Sequence, residues 1–392
     1  MLAGCRLHVF VFSVSALVSF SGVALAENLT IGSVEDLGKA LFFDVNLSKN
    51  RTQSCATCHS PETGFSDQRD NGFGEPVSGA VSLGDDGKSI GDRNAPTASY
   101  ARFSPSFHLR EDGEYIGGQF WDGREADLEG QAGGPPLNPL EMGMASKADV
   151  VGRLQENPYY VAAFKTFFGK EIFDDPDTAY GAMAKSIAAF ERTDVFSPFD
   201  SRYDRYLKGK VKFTDQEELG RVLFFSDQFS NCNQCHQLRK IPGAERETFT
   251  NYEYHNIGTP VNAAVREANG GGEAAADLGL LANSAVSDPA QAGKFKVPTL
   301  RNVAVTGPYM HNGIFEDLRT VVLFYNQYNT TAPSAKINPE TGRHWGRTEF
   351  EKTLSTEELT VGPALDDKRV DALVAFLKTL TDARYEHLLE DR

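Results

Sequence analysis

The sequence predicts a mainly α fold made of two tandem, loop-rich helical domains, and three repeated features predict it. A helix carrying Leu-Gly-basic-x-Leu-Phe-Phe occurs twice. A Cys-x-x-Cys-His pentapeptide follows each copy, and an apolar helix closes each half. The same three features in the same order describe an internal duplication rather than two unrelated helical halves.

In chain order, the first element is a leader. Arg6 stands near the amino end, a largely apolar run extends from Val9 to Val23, and Ala24-Leu25-Ala26 precedes Glu27. Residues 1–26 therefore read as a secretory signal peptide, with an apolar part too short and too early for an ordinary membrane span. Leu2-Ala3-Gly4-Cys5 resembles a lipoprotein box, but no apolar segment precedes it. No later stretch approaches the roughly 18 apolar residues of a transmembrane helix, so a periplasmic protein without a membrane span is expected.

The first repeated helix begins at Ser33 and contains Leu37-Gly38-Lys39-Ala40-Leu41-Phe42-Phe43; the second begins at Thr214 and contains Leu219-Gly220-Arg221-Val222-Leu223-Phe224-Phe225. Ser33 and Thr214 are followed three residues later by Asp36 and Glu217, a capping-box spacing. The closing helices are Ala184 to Phe190 and Val370 to Leu377, both with an apolar helical period. Between these landmarks lie Gly- and Pro-rich stretches, at Gly84 to Pro96, Gly130 to Pro139 and Asn269 to Pro289. Long irregular segments of this kind suit a chain wrapped around a cofactor. The halves are expected to meet between Phe196 and Tyr203, giving domains 27–199 and 200–392.

Cysteine usage says what the cofactor is. Cys5 leaves with the leader, and the other four form Cys55-Ala56-Thr57-Cys58-His59 and Cys232-Asn233-Gln234-Cys235-His236. Two pairs at this spacing can make disulfides or a four-thiolate zinc site in an exported protein. A histidine directly after both pairs favours a third chemistry: two thiols reaching the vinyl groups of a haem, with the adjacent imidazole beneath the iron. Two covalently bound haems c are expected, in two cytochrome c-like domains. The formal charge of −15 makes nucleic acid and anionic membranes poor partners and tolerates a basic protein partner.

Four further motifs carry a resemblance: Phe120-Trp121-Asp122-Gly123-Arg124, Leu137 to Gly143, Phe295 to Asn302, and Pro308-Tyr309-Met310-His311-Asn312-Gly313. With two Cys-x-x-Cys-His motifs in register, the mature chain resembles the bacterial di-haem cytochrome c peroxidase and MauG superfamily over essentially its whole length. The resemblance implies haems near the domain interface, a catalytic first haem on His59, and an electron-transfer or storage haem on His236. In many of the peroxidases a distal histidine about sixteen residues after the first ligand closes that haem. Position 75 here is Glu75, and no histidine occurs between His59 and His108. An open first haem is implied, as in MauG-like members.

For the second haem, the family's distal ligand lies fourteen residues after the histidine of the Pro-Tyr-x-His motif, which is Tyr325 here. Leu318, Val321, Val322 and Tyr325 independently share one helical face. Met310 is the alternative ligand. A thioether raises the iron potential, whereas a phenolate-like oxygen favours the higher oxidation states. The resemblance further implies Glu141 as distal acid–base group, Gln131 and Pro135 in the distal pocket, Trp121 as electron relay between haems, and one calcium at Asn94, Thr306 and Pro308. One departure stands out: MauG relays electrons through a tryptophan just before its second haem motif, and this chain has Phe229-Ser230-Asn231 there. His108, His255 and His344 read as surface or core histidines, with His255 near the second motif.

The implied activity is use of hydrogen peroxide to reach a high-valent iron state that oxidises a periplasmic partner protein. In MauG this is tryptophan tryptophylquinone maturation of methylamine dehydrogenase. Two rivals are a peroxidase fed by a small cytochrome or copper protein, which Met310 ligation and a need for half-reduction would favour, and a non-enzymatic di-haem carrier with both irons six-coordinate.

Overall fold

In the computed structural model, residues 31–239, 243–272 and 276–390 are described. The expected signal peptide and Cys5 lie outside them. Helices carry the architecture: α1 (Val34–Phe42), α2 (Cys55–Cys58), α3 (Leu128–Ala132), α4 (Lys147–Gln155), α5 (Pro158–Phe168) and α6 (Pro176–Glu191). They continue with α7 (Arg202–Leu207), α8 (Asp215–Phe224), α9 (Ala263–Ala268), α10 (Leu318–Asn326), α11 (Thr356–Leu359) and α12 (Asp367–Lys378). Three small two-stranded antiparallel sheets accompany them: β1 (His108–Leu109) with β2 (Tyr115–Ile116), β3 (Tyr254–His255) with β4 (Phe295–Lys296), and β5 (Ile337–Asn338) with β6 (Arg343–His344). The chain is mainly α, and no helix among the described residues is long and apolar enough to cross a membrane.

The duplicated helices cap and pack as their sequences direct. Thr214 Oγ1 accepts from the Glu217 amide at 3.2 Å while Glu217 Oε2 accepts from the Thr214 amide at 2.7 Å, a reciprocal box. At α1 only half of it forms: Ser33 Oγ accepts from the Asp36 amide, and the shorter Asp36 carboxylate turns to the amide of Gly32. α1 crosses α6, and α8 crosses α12, at backbone contact. A Cβ on Gly38 would lie 1.8 Å from Ser186 O, and one on Gly220 would lie 1.8 Å from Ala372 O.

Around each crossing sits an aromatic cluster at matched positions. Phe42, Phe65 and Phe190 serve the first core, and Phe224, Phe249 and Phe376 the second. The first core draws on residues up to Phe196 and the second on residues from Tyr203 onward. Both belong to one compact unit, Ile31–Arg392.

Gly38→Ala is the direct test of the crossing. Helix propensity alone favours alanine by about 1 kcal/mol. Overpacking commonly costs about 1–3 kcal/mol, and here the methyl meets a carbonyl rather than a yielding side chain. The expected result is a lower thermal unfolding midpoint, with a similar fall for Gly220→Ala. A raised midpoint in either variant contradicts the close approach.

Candidate active site

Each Cys-x-x-Cys-His motif is one helical turn closed by a bond from the histidine amide to the first cysteine carbonyl, 2.9 Å in both copies. All four thiols are free rather than paired. His59 Nδ1 lies 3.2 Å from Phe65 O, and His236 Nδ1 lies 3.2 Å from Phe249 O. Phe65 and Phe249 both take positive φ, 57° and 55°, which turns these carbonyls toward the rings. Burial pushes both imidazoles below their ordinary value, His236 to about 4, so both are neutral, as metal ligands are. A carbonyl on Nδ1 fixes the tautomer that leaves Nε2 for iron. Reduced thiols one helical turn apart beside an oriented neutral imidazole fit covalent haem, and they do so twice. A second wall repeats as well: Thr97 Oγ1 donates to Gly64 O at 2.5 Å and Thr299 Oγ1 to Thr248 O at 2.6 Å.

The duplication extends to the opposite wall, which sequence reading had not aligned. Residues 119–125 and 309–315 form the same turn, closed by Gln119 N–H to Glu125 O at 2.7 Å and by Tyr309 N–H to Phe315 O at 2.6 Å. Phe120 and Met310 hold φ of 64° and 71° at equivalent places. Asp127 then caps α3 and Asp317 caps α10. The register, a shift of 190 residues, makes Trp121 the counterpart of His311 and Pro135 the counterpart of Tyr325.

The two halves diverge at that last pair. α10 runs on for 9 residues and delivers Tyr325, whereas α3 stops after 5 at Gly133-Gly134-Pro135-Pro136. Burial, then the neighbouring Cys235 and Cys232 thiols, push the Tyr325 phenol up, so this side chain stands near the second motif. Met310 packs instead with the Phe315–Phe324–Trp345 cluster and lines a cavity between the halves.

Near the first motif the corresponding group is Glu141. Its carboxylate accepts from Asn138 Nδ2 at 2.9 Å, and its backbone is held by Asp85 N–H to Glu141 O at 2.8 Å. Burial raises its pKa, opposed by the Arg124 charge and the Asn138 bond. Cys58 is pushed up to about 12, first by burial and then by Asp67, with Glu141 contributing; Glu141 contributes to the rise at Cys55 also. The bond from Met142 N–H to Pro135 O brings the Glu141 loop against the end of α3, where Gln131 lies one turn before Pro135.

A cavity of about 150 Å³ is lined by residues of both halves, including Trp121, Asn94, Thr306, Pro308 and Met310. Trp121 Nε1 donates to Asn94 O at 2.8 Å, and Trp121 O accepts from the Lys296 amide at 2.9 Å. Asn94 N–H in turn donates to His311 O at 2.8 Å. Glu141, Gln131, Pro135 and Tyr325 lie outside this cavity lining.

The segment holding Glu75 packs against α9. Val77, Ala80, Val81 and Ile90 bury with Val265, Asn94 Nδ2 donates to Ala80 O, and Glu75 itself is exposed. His108 and His344 are exposed on β1 and β6. His255 is different: its Nδ1 lies 3.3 Å from Ser355 Oγ and its Nε2 3.5 Å from Glu253 Oε2, and although burial opposes its charge, the neighbouring Cys235 and Glu253 raise its pKa above the ordinary value. Arg69, paired with Asp67 at 2.7 Å, reaches to 3.7 Å from Cys58 Sγ. No local pattern marked it, because a lone arginine in a polar loop carries no periodicity. Phe229, at the position of interest before the second motif, is exposed under Arg369.

A family model described as di-haem cytochrome c peroxidase matches residues 33–212. The chain is 55% identical over 375 residues to the methylamine utilization protein MauG of Paracoccus denitrificans, covering 96% of this chain and 95% of that one. It is 30% identical to cytochrome c551 peroxidase of Nitrosomonas europaea, covering 88% and 79%. Among solved structures, the diheme peroxidase BthA of Burkholderia thailandensis matches with a TM-score of 0.77 at 32% identity, covering 91% of this chain and 87% of that one. With its two oriented Cys-x-x-Cys-His turns, the chain belongs to the di-haem cytochrome c peroxidase family and is a MauG-like haem c oxidoreductase.

Proposed function

We propose that the chain is a periplasmic enzyme of two cytochrome c-like domains, 27–199 and 200–392, which uses hydrogen peroxide to oxidise a partner protein. The observation that carries this reading is the asymmetry between Pro135 and Tyr325. Cys55, Cys58 and His59 would hold the first haem, and proline at position 135 offers it no ligand atom where Tyr325 stands in the other half, which would leave room for peroxide. Cys232 and Cys235 would attach the second haem, and His236 and Tyr325 are the side chains that would hold its iron. When bound, the haems supply peroxide reduction and storage of oxidising equivalents.

The chain's own residues do the rest. Glu141, half-buried and oriented by Asn138, moves a proton from the near to the departing peroxide oxygen. Gln131 and Pro135 shape the pocket beside it. Trp121, held at both its indole nitrogen and its carbonyl, is an oxidisable ring in the wall shared by the halves and is assigned the electron relay. The likeness to the Paracoccus methylamine utilization protein supports tryptophan tryptophylquinone maturation of methylamine dehydrogenase as the reaction served.

Stoichiometric peroxide added to the diferric, haem-loaded protein without reductant tests the reading. The expected result is rapid formation of a long-lived two-electron-oxidised state in visible and near-infrared absorbance. Silence until one haem is reduced would instead identify a peroxidase fed by a small cytochrome or copper protein. Silence of the half-reduced protein too would identify an electron carrier.

Calcium is assigned to Asn94, Thr306 and Pro308, which share one cavity wall and offer hard oxygen donors, two of them carbonyls. Metal analysis of the purified protein is expected to return one calcium per chain, lost on prolonged chelation and in Asn94→Ala. Full retention in that variant would remove Asn94 from the site.

A further inference from the structure

The duplication brings two equivalent residues to one buried carboxylate. Ala95-Pro96-Thr97-Ala98-Ser99-Tyr100 and Val297-Pro298-Thr299-Leu300-Arg301-Asn302 match in order, and Tyr100 and Asn302 both open a 3-10 turn with φ of 61° and 63°. Tyr100 Oη donates to Asp382 Oδ1 at 2.5 Å, and Asn302 Nδ2 donates to Asp382 Oδ2 at 2.8 Å. Tyr100 is 1% exposed and Asp382 is fully buried. An amide serves this junction from the second half; the first half uses a phenol, which adds an oxidisable ring. That ring also lines the cavity shared with Trp121.

The surroundings decide how such a ring can lose an electron. The Arg301 guanidinium, 5.3 Å from the Tyr100 ring centroid, is itself paired with Asp204 at 2.6 Å, so the charge nearest the phenol oxygen is the Asp382 carboxylate, toward which an oxidised phenol, being strongly acidic, releases its proton. Electron loss becomes feasible when the proton leaves at the same time. A charge-assisted O–H···O⁻ bond of this length is the strong kind and already aims the proton at its acceptor. Burial raises Asp382 to about 6, opposed by its bonds from Tyr100 and Asn302 and by Arg301, so the carboxylate is a better base than an exposed one. Tyr252 lines the same cavity, and its hydroxyl has no hydrogen-bond partner among the described residues.

We propose that Tyr100 and Asp382 form a proton-coupled oxidation site that parks one oxidising equivalent when no partner protein is docked. The peroxide-oxidised enzyme takes one electron from the Tyr100 ring by way of Trp121. The hydroxyl proton passes to Asp382 Oδ1, leaving a neutral phenoxyl radical and a protonated carboxyl. Return of one electron and that proton restores both groups. The proposal rests on the peroxide chemistry proposed above.

Freeze-quench electron paramagnetic resonance of the holoenzyme after stoichiometric peroxide, with absorbance read on the same samples, is the test. The expected signal is an organic radical whose hyperfine splitting narrows when ring-deuterated tyrosine is incorporated. It should vanish in Tyr100→Phe, persist in Tyr252→Phe, and lose most of its yield in Asp382→Asn, which keeps the shape of the junction but not the base. A spectrum unresponsive to peroxide overturns both readings. A normal absorbance response without a tyrosine-derived signal, or with one that survives Tyr100→Phe or Asp382→Asn undiminished, overturns this one alone.

Discussion

Tyr325→Met is expected to retain both haems and the peroxide reaction yet lose the long-lived oxidised state. On α10, Leu318 and Val322 pack in the second core with Cys232, and Tyr325 stands beside the Cys235 and Cys232 thiols. A phenolic oxygen stabilises oxidised iron, and a thioether stabilises reduced iron. A potential raised by on the order of 100–200 mV shifts a one-electron equilibrium by roughly 10²–10³-fold, at about 59 mV per factor of ten. Stored oxidising power should therefore drain to reductants or to nearby side chains, shortening the lifetime by about the same factor. Stopped-flow absorbance measures both formation and decay. Unchanged decay would mean that Tyr325 is a core tyrosine, and attention would pass to Met310. Met310→Leu supplies the contrast, because Met310 packs in the Phe315–Trp345 cluster and should leave the decay nearly unaltered.

What the sequence could reveal of this arrangement depends on whether each feature leaves a local trace. The haem motifs, the Leu-Gly-basic helices and the cap residues Ser33 and Thr214 do, since covalent attachment, close helix crossing and end-capping each demand particular residues at fixed spacing. The carbonyls of Phe65 and Phe249 that orient the proximal histidines do not, because any residue has a carbonyl and only positive φ aims it. The register of 119–125 on 309–315 was likewise hidden, because the shared feature is a backbone turn while Trp121 and His311 share no chemistry. Once the turn is seen, Pro135 falls opposite Tyr325, and the difference between the two pockets becomes a matter of where a helix stops. The Tyr100–Asp382 contact spans 282 residues, and neither partner lies in a recognisable motif.

Glu141→Gln is expected to slow the reaction with peroxide by about 10²–10⁴-fold, the usual worth of a positioned acid–base group. Glutamine keeps the size of the side chain and can still meet Asn138 with its carbonyl oxygen, so the haem spectra and unfolding midpoint should change little. The amide cannot take a proton from one oxygen and return it to the next. The pH profile separates this role from simple pocket shaping. Burial raises the Glu141 pKa, so the carboxylate, the form that accepts a proton, is lost on acidification sooner than for an exposed glutamate. In the unaltered protein the rate should fall on the acid side, beginning above the ordinary glutamate range. The variant should show a low rate without that limb, and Asn138→Ala should move the limb to still higher pH by removing a bond that stabilises the ionised form. A variant rate within a few-fold of the parent, with the acid limb intact, would assign the proton transfer to another group and leave Glu141 as part of the pocket wall.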